Sequence, residues 1–168
     1  METIENTAVC FSGHRPEKLP WGQDESDPRC LALKNTLSDV LAALYDSGYR
    51  HFFCGMAAGA DLYAGEAVVA LRDEHPDVTL TAVIPFQGQD RRFPRPLKER
   101  YVRLAEECDE RIVLHGEYTP GCMMERNRYM VDRSSLLVTI YDGRPGGTRN
   151  TRRYAADRGR TILELPVS

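Results

Sequence analysis

The chain has 168 residues, of which 42% are apolar, 28% charged and 8% aromatic, enough to bury one core and read as a single domain over 1–168. Its 22 basic and 25 acidic residues leave a net charge of −3, which argues against a dedicated duplex-DNA binder, and nucleic acid is not the expected partner. No apolar run approaches the roughly 20 residues of a membrane span, and "METIENTAVCF" lacks the basic and apolar regions of an export signal, so a cytoplasmic protein without a membrane partner is expected.

Short apolar runs alternate with amphipathic stretches along the chain. "TAVCFSG" (7–13) reads as a buried strand that breaks at glycine. A Pro-rich loop follows, then a helix over 29–47 with Leu31, Leu33, Leu37, Val40, Leu41 and Leu44 near helical spacing, ended by Gly48. "HFFCG" (51–55) is a second strand, and residues 61–75 form a helix stopped at Pro76. "TLTAVIPF" (79–86) is a third strand, 95–108 a helix, and "RIVLHG" (111–116) a fourth strand. A helix over 122–132 leads to "SLLVTIYD" (135–142), the fifth strand. "GRPGG" (143–147) then breaks the chain before a helix over 148–158 and a last strand, "RTILEL" (160–165).

Short strands separated by helices predict an α/β fold, a Rossmann-like three-layer α/β/α sandwich around a mostly parallel sheet. Right-handed crossovers put all strand C-termini on one edge, and ligands in such folds bind outside that edge at a switch in strand order. The segments that follow the strands there are small, polar and flexible. Ser12, Gly13, His14 and Arg15 follow the first strand, and Gly55 to Asp61 the second; Asp142 and Gly146-Gly147-Thr148 follow the fifth.

In "FFCGMAAGADLYAGEAVV" (52–69), Gly55 and Gly59 allow a sharp turn with outward N–H groups, and Asp61 can cap the next helix. Gly146 and Gly147 do the same before a later helix, with the Thr148 hydroxyl as an added donor. Helix N-termini attract anions through free N–H groups and the macrodipole, so two such turns suggest a phosphate and a ribose. The alternative is that the glycines only let helices pack closely on strands. G-x-x-x-G-x-D is neither the dinucleotide fingerprint nor a P-loop. The five cysteines and four histidines show no ligand spacing, so reduced thiols, no metal and no cofactor are expected.

Other residues have two readings each. "DRRFPRPLKERYVRL" (90–104) could follow a phosphate backbone with aromatic stacking, or be a loop and a helix with a solvated basic face. Trp21 could stack on a base or cover a helix end. Arg126 could reach the loops or pair at the surface with Asp132 or Glu125, and His51, at the start of a strand, reads as structural.

"FSGHRP" (11–16), "CGMAAGAD" (54–61), "PF" (85–86) and "ERNRYMVDRSSLLVTIYDGRPGGTRNTRRYAADRGRTI" (125–162) together resemble the SLOG superfamily, and within it the YpsA-type branch. The resemblance spans nearly the whole chain. It implies a Rossmann-like fold whose glycine-rich loops bind a nucleotide or an ADP-ribose-like ligand, as a sensor or regulator. Ala58 joins the first loop on this ground, and Arg126 and Asp142 flank the second. The superfamily also contains the LONELY GUY phosphoribohydrolases. Their arginine before the fifth strand is matched by Arg126, but their P-G-G-x-G-T-x-x-E loop is matched only as Pro145-Gly146-Gly147-Thr148. Arg149, Asn150 and Thr151 follow, without the catalytic glutamate, so a phosphoribohydrolase or NAD-type N-glycosidase is the alternative and would need a carboxylate from elsewhere: Glu66, Glu125 or Asp142. Arg126-Asn127-Arg128 matches an R-N-R of the DNA-processing protein A branch, which makes single-stranded nucleic acid the second alternative. Relatives of this kind often form homodimers, and a homo-oligomer is expected.

Overall fold

The computed structural model describes residues 3–167. Six strands form a single sheet: β1 (Ala8–Gly13), β2 (His51–Cys54), β3 (Thr79–Ile84), β4 (Glu110–Val113), β5 (Leu136–Tyr141) and β6 (Thr161–Pro166). Five helices alternate with them: α1 (Pro28–Asp46), α2 (Ala60–Glu74), α3 (Arg95–Glu107), α4 (Cys122–Asp132) and α5 (Gly147–Asp157). The strand order is β4-β3-β2-β1-β5-β6 and every pairing is parallel, where a mostly parallel sheet was expected.

Alternation along the strands makes the three layers. In β1, Val9 and Phe11 face a cluster built with Leu33, Leu37, Leu62 and Leu104 of α1, α2 and α3. Ala8 and Cys10 face the opposite side, where Met130 and Val131 of α4 and Ala155 of α5 pack. A period of two sends successive side chains to opposite faces, so one central strand feeds both cores. Trp21 belongs to the first core: it is buried, and its Nε1 donates to the Tyr63 hydroxyl at 3.1 Å, so it covers packing and is not free to stack on a base. His51 bonds Thr79 Oγ1 across neighbouring strands at 2.7 Å, at the edge away from the C-terminal loops.

Helices α1 to α3 carry the chain outward from β1 to β4 along one face. Helix α4 then returns it along the other face to β5, on the far side of β1. The order therefore reverses between β1 and β5, and their C-terminal ends diverge into a crevice. Among the described residues no helix is long and apolar enough to cross a membrane.

Candidate functional site

A cleft of about 360 Å³ opens at this reversal. Its walls come from the end of β1 and the loop after it (Ser12 to Arg15, Glu17, Lys18), the β2–α2 turn and the start of α2 (Ala57, Asp61), α4 (Met123, Met124, Arg126, Asn127) and the start of α5 (Gly146 to Thr148, with Asn150). Of the residues singled out from sequence, Ser12, Gly13, His14, Arg15, Asp61, Arg126, Gly146, Gly147 and Thr148 line it, and Gly55, Ala58, Gly59 and Asp142 do not.

Two contacts zip the walls together. His14 Nε2 meets Asp142 Oδ1 at 2.9 Å, and Arg144 donates Nη2 to the Lys18 carbonyl at 3.3 Å. Asp142 also accepts from the Arg144 backbone N–H at 3.0 Å. The His14 bond, seconded by those from Arg144, holds its carboxyl well below the usual carboxylate range. Asp142 thus orients His14 and the 143–146 loop from behind the cleft.

The two glycine turns differ. At α5, Gly146 has φ +153° and ψ −166°, a backbone shape close to glycine-only. The first bond of that helix runs from Asn150 N–H to Gly146 O at 3.0 Å. Among the described residues no acceptor reaches the N–H groups of Gly147, Thr148 and Arg149. A Cβ on Gly147 would meet nothing within 4 Å. This turn leaves an open anion seat.

At α2 two of the outward N–H groups expected from sequence are already occupied. Ala60 N–H donates to the His14 carbonyl at 3.1 Å, and Ala57 N–H to Asp61 Oδ2 at 3.2 Å. Gly59 (φ +89°) is a glycine because a Cβ there would stand 2.7 Å from the His14 carbonyl oxygen. The preceding Met56 holds φ +64° with its side chain fully buried, an unfavourable shape kept in place by the core. Close packing against the His14 carbonyl thus accounts for the glycine at position 59. Asp61 is likewise not the helix cap: Gly59 is, without a side-chain bond, and Asp61 lies in the first turn with its carboxylate bonded back to the loop.

Arg126 is 3% exposed rather than a surface ion pair. Its Nη1 donates to the Gly55 carbonyl, and its Nε to Asn127 Oδ1 at 2.8 Å. Asn127 Nδ2 in turn donates to Thr151 Oγ1 at 2.9 Å, which ties the arginine to α5. No acceptor among the described residues reaches its Nη2. Gly55 serves this guanidinium by close approach, since a Cβ would lie 2.6 Å from Nη1 and 2.9 Å from Asp61 Oδ2. Burial pushes the Asp61 carboxyl up and the Arg126 guanidinium down, and their mutual attraction only moderates both shifts. A buried cation without a directly bonded carboxylate attracts an anionic ligand.

Sequence reasoning missed four polar members of the cleft: Glu17, Lys18, Asn127 and Asn150. Lys18 comes within reach only because a short 3-10 turn (Pro16–Lys18) folds back, and a Cβ on Gly146 would meet its Nζ at 2.7 Å. Neither Arg15 nor Lys18 forms an ion pair among the described residues. The carboxylates proposed from sequence as outside acids lie elsewhere. Glu66 pairs with Arg100 at 2.5 Å and Glu125 with His115 at 2.9 Å. Asp61 and Glu17 are the carboxylates at the cleft.

The 90–104 stretch is divided. Arg95 pairs with Glu99 at 3.2 Å on an exposed face, which favours the solvated-face reading for it, whereas Arg100 is half-buried and bridges Glu25 and Glu66. Among the described residues no group of His, Cys, Asp and Glu is arranged to hold a metal ion.

Comparison with known proteins places this geometry. An uncharacterized SPbeta prophage-derived protein, YoqJ of Bacillus subtilis, is 34% identical over 143 residues, covering 77% of this chain and 83% of its own. The UPF0398 protein YpsA of the same organism is 26% identical, covering 95% of this chain and 89% of its own. DNA processing protein A of Streptococcus pneumoniae shares the fold at a TM-score of 0.64 and 20% identity; 98% of this chain is matched, and it spans about half (52%) of that protein. DNA processing protein A of Helicobacter pylori, solved for its single-stranded DNA binding mode, gives a TM-score of 0.64 at 16% identity, covering 98% of this chain and 68% of that one. The family model for YpsA, described as the YspA SLOG family, matches residues 9–160, and the chain belongs to that family.

Proposed function

We propose that the cleft between β1 and β5 binds a nucleotide or a nucleotide-derived phosphate ester, and that the protein acts as a sensor or regulator of it. The observation that carries this reading is the 3%-exposed Arg126 beside the three unpartnered N–H groups of α5, with Arg15 and Lys18 unpaired on the facing loop. Four sources of positive potential surround one space, where a phosphate is the natural counter-charge. All five cysteines are free, which supports a reducing compartment for this ligand.

The test is a thermal-shift panel of ribose 5-phosphate, AMP, GMP, NAD and ADP-ribose, with oligothymidylate as the nucleic-acid arm. Ligand at about 100 times its dissociation constant adds about 2.7 kcal/mol, a rise of roughly 5–10 °C for a chain of this size. No shift with any phosphate overturns the reading. A shift with oligothymidylate alone, lost steeply as salt rises, assigns the cleft to single strands.

A second reading is favoured by one observation. Asp61 is a buried carboxylate at the cleft whose proton affinity is raised by burial. As the C1′–N bond breaks, such a group in its ionised form can stabilise positive charge at C1′ of the ribose, or take the proton of the attacking water whose hydroxyl bonds C1′; that proton ends on a departing adenine, or in solvent when neutral nicotinamide leaves. Mass spectrometry of each mixture decides: free base from AMP or NAD, absent with Asp61→Asn, makes the protein an N-glycosidase, and intact ligand makes it a sensor.

A further inference from the structure

A second space of about 190 Å³ adjoins the cleft. Arg15, Glu17, Ala57 and Met123 line both, whereas Ala58, Gln89 and Phe93 belong to the recess alone. Its character is unlike that of the cleft. Phe93, Met123 and the two alanine methyls form an apolar wall. The one amide is already committed: Gln89 Nε2 donates to the Gly55 carbonyl at 3.2 Å, and Oε1 accepts from the Tyr101 hydroxyl at 3.3 Å.

Phe93 is held in place without being sunk in the core. The loop after β3 turns through bonds from Arg91 N–H to Gly88 O and from Phe93 N–H to Asp90 O, each 2.9–3.0 Å. The ring then meets Tyr101 edge-on, with centroids 5.7 Å apart and planes at 90°. It remains half-buried, as does Met123 on α4. A flat apolar group entering the recess finds an aromatic ring and a polarisable thioether, with the unpaired Arg15 guanidinium at the junction with the cleft. These are the partners on which nucleobases stack, and such stacking tolerates any base.

We propose that this recess takes the base of the nucleotide whose phosphate sits at α5, so that the ligand class is a nucleoside phosphate rather than free phosphate or a sugar phosphate. The proposal rests on the phosphate reading of the cleft. It makes Phe93, Met123 and Ala58 determinants of affinity; Phe93 belongs to the basic 90–104 stretch, whereas no motif includes Met123.

The experiment compares AMP with ribose 5-phosphate by titration calorimetry on the wild-type chain, on Phe93→Leu, which keeps apolar packing against Tyr101, and on Ala58→Leu, which fills the recess with a larger side chain. The expected result is that the wild-type chain binds AMP about tenfold or more tightly than ribose 5-phosphate. Each variant loses that margin while its ribose 5-phosphate affinity stays within about twofold. Circular dichroism melts of the unliganded variants confirm the fold, and should one variant fail to fold the other answers the question. Equal affinity of the wild type for the two ligands, or equal losses for both in the variants, overturns the base recess and leaves the phosphate reading standing. A wild-type chain that binds neither ligand overturns both.

Discussion

The open seat at α5 makes Gly147→Val the sharpest perturbation. Gly147 lies at the first helical position of α5, its φ is outside the left-handed region, and an added Cβ meets nothing within 4 Å. The variant is therefore expected to fold, with unliganded stability within about 1 kcal/mol of wild type, or a midpoint change of no more than about 4 °C. Binding is another matter, because the isopropyl group stands where an anion would approach three unpartnered N–H groups. Hydrogen bonds to charged groups contribute about 1.5–3 kcal/mol each. Blocking two of them removes about 3–6 kcal/mol, an affinity loss of about 100-fold or more. Titration calorimetry with AMP, alongside a melt of the unliganded variant, reads both quantities. A folded Gly147→Val chain that binds AMP as wild type does would show that no anion rests on α5, and the phosphate reading would go with it.

Gly55→Ala puts a methyl 2.6 Å from Arg126 Nη1, in a space that a buried guanidinium cannot vacate, so a loss of about 1–3 kcal/mol is expected, together with weaker ligand binding. An unchanged melting midpoint would show that Arg126 is not locked beneath the β2–α2 loop. Asp61 binds its proton more tightly in the folded state than in the unfolded one. Stability therefore falls as pH rises from the unfolded carboxyl value through the raised folded one. Urea titrations from pH 4 to 8 should show this slope in wild type and its reduction in Asp61→Asn; parallel curves would remove the inference. Arg100→Met leaves Glu25 and Glu66 without their shared guanidinium, contacts that now run at 2.5 Å to each. The expected loss is about 1–3 kcal/mol with ligand affinity retained, and a matching loss of affinity would count against the purely structural role of this residue.

The secondary structure was legible in the sequence because its signals are local. Helix α4 falls on the expected 122–132, and the ends of most other elements agree to within one or two residues, since apolar runs and glycine or proline stops act over a few positions. Strand β4 is the widest miss: it ends at Val113, and the following His115 and Gly116 lie beyond it. The parallel sheet followed from strands alternating with helices, and the edge bearing the loops followed from crossover handedness. Ser12, Gly146, Gly147 and Thr148 were found by that route alone.

What only the tertiary structure decided is which loops meet. Placing β5 beside β1, and not beyond β4, brings α5 against the loop after β1 and so creates the cleft. The same return passes α4 under the β2–α2 turn, which buries Arg126 against a carbonyl 71 positions earlier in the chain. Gly55 and Gly59 carry identical local signals for a phosphate turn and for close packing, and only the fold shows what stands opposite them: a guanidinium in one case and a carbonyl oxygen in the other. Lys18, Asn127 and Asn150 reach the cleft from three separate segments through contacts whose energy depends on approach in space. No spacing along the chain encodes such an approach, whereas the periodicities that make a helix or a strand are complete within a dozen residues.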